Sequence, residues 1–357
     1  MGFQVSVQPS RHSFQAEPDE TILDAALRQG LSLPYACRDG ICGTCRGKVL
    51  AGAVAHGKAS LETLSAADRQ AGWALFCCAM ARSDLSLESR EVRSLEDLPI
   101  RTLPARVHKL TRAAPEVMII ELKLPATERL QFLAGQYVDI LLKEGRRRSF
   151  SIANAPHADT FLQLHVRHVA GGEFTEHVFG TLKERDLLRL RGPHGSFFLR
   201  EDSAKPMLLV AGGTGFAPIK AIVEHAIAAG STRAMDIYWG ARCRAELYLL
   251  PLAEQWPVQH AHIRFIPVLS DSPAGDGWTG RTGLVHAAAM ADHPDLSGHQ
   301  AYVCGAPAMV AAARRDFLAH CRLPAEEFFA DSFDFAADTL SALAGDTPSA
   351  TPVARHE

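Results

Sequence analysis

Eight cysteines are unevenly distributed along the chain, and their spacing in the first quarter indicates metal or redox chemistry. Cys37, Cys42 and Cys45 stand at x4 and x2 spacing, and a fourth cysteine follows about thirty residues later. This is the ligand spacing of a plant-type 2Fe-2S cluster, in which one loop supplies three thiolates. Zinc sites normally show two Cys-x2-Cys pairs or mixed Cys and His ligands at short spacing, so zinc fits this pattern less well.

The fourth ligand is ambiguous because Cys77 and Cys78 are adjacent. The segments Leu75-Phe76-Cys77 and Ser83-Asp84 align with the usual end of a ferredoxin, which places Cys77 at the ligand position. Cys78 is then expected to be a packed small hydrophobic residue, as free cysteines commonly are. The predicted cluster ligands are Cys37, Cys42, Cys45 and Cys77.

A glycine-rich turn, residues 212 to 218, follows an apolar strand and opens a helix with Pro218 in its first turn. Glycines let the backbone approach a phosphate, and the helix N-terminus supplies unpaired N–H groups and a partial positive charge. The segment predicts a dinucleotide pyrophosphate site, with a spacing unlike the Rossmann Gly-x-Gly-x-x-Gly. The predicted nucleotide-binding residues here are Gly212, Gly213, Thr214, Gly215 and Pro218.

The segment Arg148-Ser149-Phe150-Ser151 resembles the Arg-x-Tyr-Ser motif of the ferredoxin–NADP reductase superfamily, and Gly135-Gln136-Tyr137 precedes it. The resemblance implies that the arginine pairs with the FAD pyrophosphate and that the following positions hold the flavin. An arginine suits this role because its planar fork donates two hydrogen bonds to phosphate oxygens. Phe150 replaces the usual tyrosine, so no phenol hydrogen bond to the flavin is expected there. The predicted flavin-binding residues on these segments are Tyr137, Arg148, Ser149, Phe150 and Ser151.

Three further segments resemble motifs of the same superfamily. Gly172 and Thr175 fall in its second FAD segment, although a plain hairpin turn is an alternative. Cys304-Gly305 matches a Cys-Gly motif whose thiol lies beside the nicotinamide, or else Cys304 is a buried residue at a strand end. Phe333 matches the terminal aromatic that covers the flavin ring. The resemblance thus implies catalytic roles for Cys304 and Phe333, and cofactor binding by Gly172, Thr175 and Gly305.

These residues need secondary-structure elements that position them, and the pattern of strand and helix signals along the chain predicts three domains. An α+β unit with a helix from Thr21 to Gln29 occupies the start, short strands follow that suggest an antiparallel barrel, and strands alternating with helices then predict a parallel α/β sheet. The predicted bounds are 1–92 for the ferredoxin domain, 93–101 for a linker, 102–203 for the FAD-binding barrel, 204–335 for the NAD(P)-binding domain and 336–357 for a disordered tail.

Composition limits the classes of partner. The net charge is −3 over 357 residues, without a basic field for nucleic acid or an anionic membrane. No apolar run reaches the roughly 18 residues of a membrane span, and the chain starts without a signal peptide, so we expect a cytoplasmic protein. Arg242 and Arg244 are candidates to bind the 2′-phosphate of NADPH, and the sequence leaves the choice between NADH and NADPH open.

Taken together, residues 1 to 335 resemble a β-grasp ferredoxin domain joined to a reductase module. Tyr35-Ala36-Cys37-Arg38-Asp39-Gly40, Trp278-Thr279-Gly280 and Phe329-Ala330-Asp331-Ser332-Phe333 are similar to the iron–sulfur reductases of 3,6-dideoxysugar biosynthesis. The resemblance implies a 2Fe-2S cluster, FAD and NADH or NADPH as cofactors. It also implies an electron-acceptor protein as partner, a pyridoxamine-phosphate-dependent CDP-4-keto-6-deoxyglucose 3-dehydrase. Electrons would pass from NAD(P)H to FAD, then to the cluster and the partner.

Three alternatives stay open at this point. The chain also resembles the reductase components of aromatic-ring and di-iron oxygenases, which use the same cofactors. A general NAD(P)H:flavin or quinone reductase with a vestigial ferredoxin domain is a second alternative, which the intact cysteine set disfavours. A zinc-bearing adaptor, built on an inactive reductase fold, is the third.

Overall fold

A computed structural model describes residues 2–89, 93–94, 98–271 and 277–333. The tail predicted for residues 336 to 357 lies outside the described residues, as does part of the predicted linker. Inside that linker interval, Arg93–Ser94 pairs with Leu31–Ser32, and a strand already begins at Arg101. Among the described helices, none has the length and apolar character needed to cross a bilayer.

The first sheet belongs to the cysteine-bearing unit. Val5 and Val7 are fully buried and alternate with residues that are partly or fully exposed, as a strand with one face on a core requires. Thr21 caps the first helix by accepting a hydrogen bond from the Asp24 N–H at 3.1 Å. The elements are β1 (Phe3–Gln8), β2 (Ser13–Ala16), α1 (Ile22–Arg28), β3 (Leu31–Ser32), β4 (Arg46–Ala51), β5 (Val54–Ala55), α2 (Ala66–Gln70), β6 (Trp73–Leu75), β7 (Met80–Ala81), β8 (Leu85–Glu88) and β9 (Arg93–Ser94).

The main sheet of this unit has the order β2-β1-β8-β4-β6. β1 and β8 are parallel, whereas the remaining neighbours are antiparallel. Helix α1 packs its buried side against the same core. The cysteine loop lies between β3 and β4, outside regular structure, so its backbone is free to turn around a bound group.

The second unit is an antiparallel sheet of order β13-β12-β15-β10-β11-β14. An antiparallel bridge between Ile152 and Leu164 joins the two edge strands and curls the sheet toward a closed barrel. Its elements are β10 (Arg101–Ala114), β11 (Val117–Lys123), β12 (Tyr137–Leu141), β13 (Arg147–Ser151), β14 (Leu162–Arg167), α3 (Glu173–Gly180) and β15 (Leu187–His194).

The third unit is a fully parallel sheet of order β19-β18-β17-β16-β20-β21. Its central strands β16 and β20 are almost entirely buried, because helices cover both faces of such sheets. The elements are β16 (Met207–Gly212), α4 (Phe216–Ala228), β17 (Met235–Ala241), α5 (Leu250–Ala253), α6 (Gln255–Gln259), β18 (Ile263–Leu269), β19 (Arg281–Thr282), α7 (Val285–Asp292), β20 (Gln300–Gly305), α8 (Pro307–His320) and β21 (Phe328–Ser332). The architecture confirms the predicted fold class.

Candidate functional site

The predicted cluster ligands converge. The sulfur atoms of Cys45 and Cys77 lie 3.2 Å apart, although the two residues are 32 positions apart in the chain. Cys37 and Cys42 form a second thiol pair within the loop, and the Asp39 N–H donates to the Cys37 sulfur at 3.4 Å. None of these cysteines is in a disulfide. The Cys37 thiol also influences Cys77 electrostatically, so the two pairs are neighbours, and two thiol pairs fit a cluster that contains two metal atoms, each with two sulfur ligands.

Hydrogen bonding within the loop shifts the pKa values of its two paired thiols in opposite directions. Hydrogen bonding from the Cys42 thiol, followed by the backbone N–H groups of the loop, lowers the pKa of Cys37 to about 6. The same thiol pairing raises the pKa of Cys42 well above its usual value, so the thiolate is favoured at Cys37 and not at its partner. Cys78 is buried, with its sulfur 3.6 Å from that of Cys77. A Cβ on Gly40 would lie 2.6 Å from the Cys78 sulfur, which shows that Cys78 packs tightly behind the loop.

A cavity of about 780 Å³ lies between the three units. Its size and its mixed polar and apolar lining suit an extended organic cofactor. The cysteine loop contributes Ala36 and Cys37 to the cavity wall, next to residues of the barrel and of the parallel sheet. Predicted cofactor residues that line it are Tyr137, Arg148, Ser149, Phe150, Ser151, Gly172, Thr175, Gly212, Gly213, Thr214 and Phe333. A cluster ligand and the predicted flavin residues therefore share one cavity.

Strand β13 carries the arginine motif along the cavity. Its register with β12 sets Tyr137 opposite Ser151 and Asp139 opposite Ser149. The Arg148 side chain is largely buried, and its Nη2 lies 4.0 Å from a carboxylate oxygen of Glu173. Arg148 is thus a cation held at the cavity, in position to meet an anionic group.

The segment after β14 forms a helix start. Gly172 is the N-cap of α3, so the hairpin turn that the sequence allowed is not what forms. The Thr175 hydroxyl donates to the carbonyl oxygen of Val169 at 2.9 Å and accepts from the Val169 N–H at 3.2 Å. Phe174 packs against Phe150, with ring centroids 5.2 Å apart. The helix N-terminus therefore faces the cavity, while the threonine hydroxyl braces its own loop.

The glycine-rich turn is packed closely against β20. A Cβ on Gly215 would lie 2.2 Å from the carbonyl oxygen of Cys304, so only glycine fits. Gly213 has a φ of +54°, a conformation that favours glycine. Helix α4 begins directly afterwards at Phe216, whose ring stacks on Trp239 at 3.7 Å. Gly215 permits this packing and Pro218 is buried in the first turn of α4, while the first three residues of the glycine-rich turn face the cavity.

The end of β20 and strand β21 meet the barrel at the cavity. Cys304 is fully buried, and burial raises the pKa of its thiol well above the usual value. Gly305 follows it, and its carbonyl oxygen accepts from the Phe333 N–H at 2.9 Å, which holds Phe333 at the cavity wall. The sequence did not single out Asp331, whose carboxylate accepts a hydrogen bond from Ser151 at 3.2 Å. Its only signal was its place within the segment that ends at Phe333.

Charged residues pair at the end of the cavity near β17. Arg242 contacts Glu246 and also Glu116, the latter at 3.1 Å, and Arg167 contacts Glu116 at 3.0 Å. Arg242 and Arg167 belong to different units, so Glu116 bridges the parallel sheet and the barrel. Of the two arginines considered for a 2′-phosphate, Arg242 lines the cavity and Arg244 is exposed on the following turn.

A buried polar network behind β12 was also missed by the sequence. The side chain of Asp139 is 2% exposed and accepts from Ser149 at 2.6 Å. Its carboxylate lies 3.5 Å from His194, and His194 in turn contacts the Tyr35 hydroxyl at 3.4 Å. Burial lowers the pKa of His194 to about 4, so the imidazole is neutral. The network connects the predicted flavin strand with the cysteine unit, and no spacing pattern in the sequence predicts it.

Comparison with known proteins covers all three units. Residues 5–82 match the 2Fe-2S iron-sulfur cluster binding domain, residues 104–199 the oxidoreductase FAD-binding domain and residues 209–315 the oxidoreductase NAD-binding domain. The cofactors are therefore a 2Fe-2S cluster, FAD and NAD(P)H, and the thiol pairs and the shared cavity fit them. This confirms the predicted cofactor set.

Relatives and solved structures agree with that assignment. The chain is 40% identical to CDP-6-deoxy-L-threo-D-glycero-4-hexulose-3-dehydrase reductase of Yersinia pseudotuberculosis, over 93% of this chain and 99% of the relative. It is 37% identical to terephthalate 1,2-dioxygenase reductase component 2 of a Comamonas species, over 93% and 98%. The crystal structure of the Amycolatopsis cytochrome P450 reductase GcoB superposes with a TM-score of 0.75 at 37% identity, covering 93% and 98%. The chain belongs to the ferredoxin reductase family, in the group that joins a 2Fe-2S domain to FAD- and NAD-binding domains.

Proposed function

We propose that this reductase delivers electrons to a pyridoxamine-phosphate-dependent CDP-4-keto-6-deoxyglucose 3-dehydrase in 3,6-dideoxysugar biosynthesis. The observation that carries the electron route is the shared cavity, where Cys37 lies in the same wall as the predicted flavin strand. The acceptor rests on the 40% identity to a hexulose-3-dehydrase reductase over 93% of the chain. When bound, FAD accepts a hydride from NAD(P)H and passes single electrons to the cluster.

The residues of the chain position these groups. Arg148 is the predicted partner of the FAD pyrophosphate, because its largely buried side chain carries a planar guanidinium, a group that can donate two hydrogen bonds to phosphate oxygens. Ser151 and Asp331 form a hydrogen-bonded pair at the cavity and can hold a proton beside a reacting ring. Phe333 and Cys304 flank the same end, with Phe333 on the wall and Cys304 behind it. We assign Phe333 to covering the flavin ring and the turn at Gly212 to the nucleotide pyrophosphate.

The direct test is anaerobic reconstitution with NADH, the dehydrase and CDP-4-keto-6-deoxyglucose. We expect NADH consumption and formation of the 3,6-dideoxy-4-keto sugar only when the reductase is present. Cys45→Ser is the matched control, since it removes one thiol of the Cys45–Cys77 pair and leaves the cavity wall intact. The control should still oxidise NADH with an artificial acceptor and should form no sugar product. Product formation by the control would contradict the route through the cluster.

An oxygenase partner is the second candidate. The 37% identity to a terephthalate dioxygenase reductase supports it, over nearly the same share of the chain. Reduction of flavin and cluster by NADH, together with no deoxygenated sugar in the presence of an active dehydrase, would favour this candidate. A zinc-bearing adaptor would contain zinc in place of iron and acid-labile sulfide, and metal analysis distinguishes it directly.

A further inference from the structure

The cysteine loop touches the barrel through Tyr137. Its phenol hydroxyl donates to the carbonyl oxygen of Ala36 at 3.0 Å in a buried contact that spans 101 residues of sequence. Ala36 immediately precedes the cluster ligand Cys37. A buried hydrogen bond that loses its donor leaves an unsatisfied carbonyl, so this contact constrains where the loop can lie.

A second contact holds the same loop, from the segment that follows strand β15 of the barrel. The Tyr35 N–H donates to the Ser196 hydroxyl at 3.0 Å, and the Ser196 N–H donates to the Tyr35 carbonyl oxygen at 2.9 Å. Gly195, which directly precedes Ser196, has a φ of +90°, and a Cβ there would lie 2.9 Å from the Tyr137 ring. The turn is therefore shaped to admit the tyrosine ring, and Tyr35 and Ala36 are both held by their backbone groups.

Tyr137 also belongs to the flavin side of the cavity. It stands opposite Ser151 in the β12–β13 register, and its ring lines the cavity beside Ala36 and Cys37. The residue is 5% exposed, so its side chain has little freedom to move. One side chain accordingly reaches from the predicted flavin strand to the backbone next to a cluster ligand.

We propose that the Tyr137 hydroxyl is a positioning group that, with Ser196, clamps the Cys37 loop against the flavin cavity and so sets the rate of electron transfer from flavin to cluster. The inference rests on the proposed electron route. In the step concerned, the reduced flavin loses one electron and the oxidised cluster gains it, and NADH supplies the electrons. The hydroxyl does not react. It keeps the donor and the acceptor at a short, fixed separation.

The test is a single-turnover experiment on the full-length holoprotein, mixed anaerobically with NADH. Flavin reduction is followed by its absorbance, and cluster reduction by rapid freezing and electron paramagnetic resonance. Ser196→Ala, which alters no predicted flavin-binding residue, should reduce its flavin within about twofold of the wild-type rate. In Tyr137→Phe, the rate of cluster reduction is compared with the rate of flavin reduction in the same sample. Cluster reduction should slow by about tenfold, equivalent to about 1.4 kcal/mol of lost docking. Ser196→Ala should slow the same step, and the double variant should slow it further.

Tyr238→Phe is the matched control. It also removes a buried phenol, one that donates to Asp292 at 2.7 Å on the parallel sheet away from the cysteine loop, and it should leave both rates unchanged. Unchanged cluster reduction in Tyr137→Phe would overturn the inference, as would loss of FAD from that variant, since the hydroxyl would then act on the flavin. A wild-type protein whose cluster stays oxidised with NADH would instead overturn the proposed electron route.

Discussion

The charge pairing around Arg242 predicts which nucleotide the reductase prefers. Glu246 and Glu116 both contact this arginine, so its positive charge is already neutralised at the end of the cavity. A carboxylate suits the ribose hydroxyl groups of NADH and repels a 2′-phosphate. We therefore predict a preference for NADH, and we predict that Glu246→Gln weakens this preference by releasing Arg242.

The magnitude follows from Coulomb's law. At a separation of about 6 Å in the dielectric of water, two unit charges interact with about 0.7 kcal/mol. A phosphate monoester carries up to about two negative charges, so the carboxylate disfavours it by about 1.4 kcal/mol, or about tenfold in affinity. The Glu246 side chain is 22% exposed, so the local dielectric constant is lower than that of water. The value of about 1.4 kcal/mol, worked with the dielectric constant of water, is therefore a lower limit for the repulsion. Gln keeps the acceptor for the Arg242 N–H, which Glu246 now binds at 3.1 Å.

The assay is kcat/KM for NADH and for NADPH with ferricyanide as acceptor, so that no protein partner is needed. The ratio of the two values should fall by about tenfold in Glu246→Gln, mainly through the KM for NADPH. Glu254→Gln is the control, because Glu254 is exposed and does not line the cavity. A wild-type preference for NADPH, or an unchanged ratio in Glu246→Gln, would refute the reasoning.

Three further predictions concern the cluster, the glycine turn and acid stability. Cys77→Ser should abolish normal cluster absorbance, whereas Cys78→Ser should keep it, because only the Cys77 sulfur pairs with that of Cys45. Gly215→Ala should raise the KM for NADH or lower the unfolding midpoint, since overpacking against backbone costs about 1–3 kcal/mol. Burial lowers the pKa of His165 from 6.5 to about 3. The unfolded chain therefore takes up this proton first, and stability should decrease by about 1.6 kcal/mol from pH 6.5 to pH 5, measured as urea midpoints.

Each of these predictions has a control. Intact cluster absorbance in Cys77→Ser would mean that Cys78 is the ligand. Gly298→Ala is matched to Gly215→Ala, because no heavy atom lies within 4 Å of a Cβ there, and equal effects of the two would contradict the packing argument. His165→Gln should flatten the pH dependence of the urea midpoint, and an unaltered slope would assign the acid sensitivity to other groups.

Local patterns explain why much of the fold was predictable. The helix predicted from Thr21 to Gln29 forms over Ile22–Arg28, with Thr21 as its N-cap and Gln29 as its C-cap. The signals that start and end it, Thr21 and Gly30, lie beside the helix in the sequence, so they can be recognised without knowledge of the fold. The apolar strand predicted before the glycine-rich turn forms as Met207–Gly212. The 14-residue strand Arg101–Ala114 was not predicted. Its exposed face carries charged residues and it contains Pro104. The alternation of apolar and polar residues that would predict a strand is therefore weak in this segment.

The candidate site also has parts that the sequence predicts and parts that it does not. The cysteine spacing and the glycine turn are local signals, and the structure brings the thiols together and the turn to the cavity. The contacts that join the units are not local. Asp331 meets Ser151 across 180 residues, and Tyr137 meets Ala36 across 101. Such pairs arise only from the way the three units pack, and a single sequence carries no periodicity that reveals them.

The clamp on the cysteine loop also bears on how such proteins are assembled from parts. On the loop side, it uses the N–H and carbonyl groups of Tyr35 and the carbonyl group of Ala36, which any amino acid except proline provides. The side chains that recognise them, Tyr137 and Ser196, both belong to the barrel. A ferredoxin domain of different sequence but the same loop backbone would therefore meet the same recognition surface. We expect chimeras joined between the two domains to retain these backbone contacts, while the contact of the Tyr35 hydroxyl with His194 depends on the side chain of the exchanged domain.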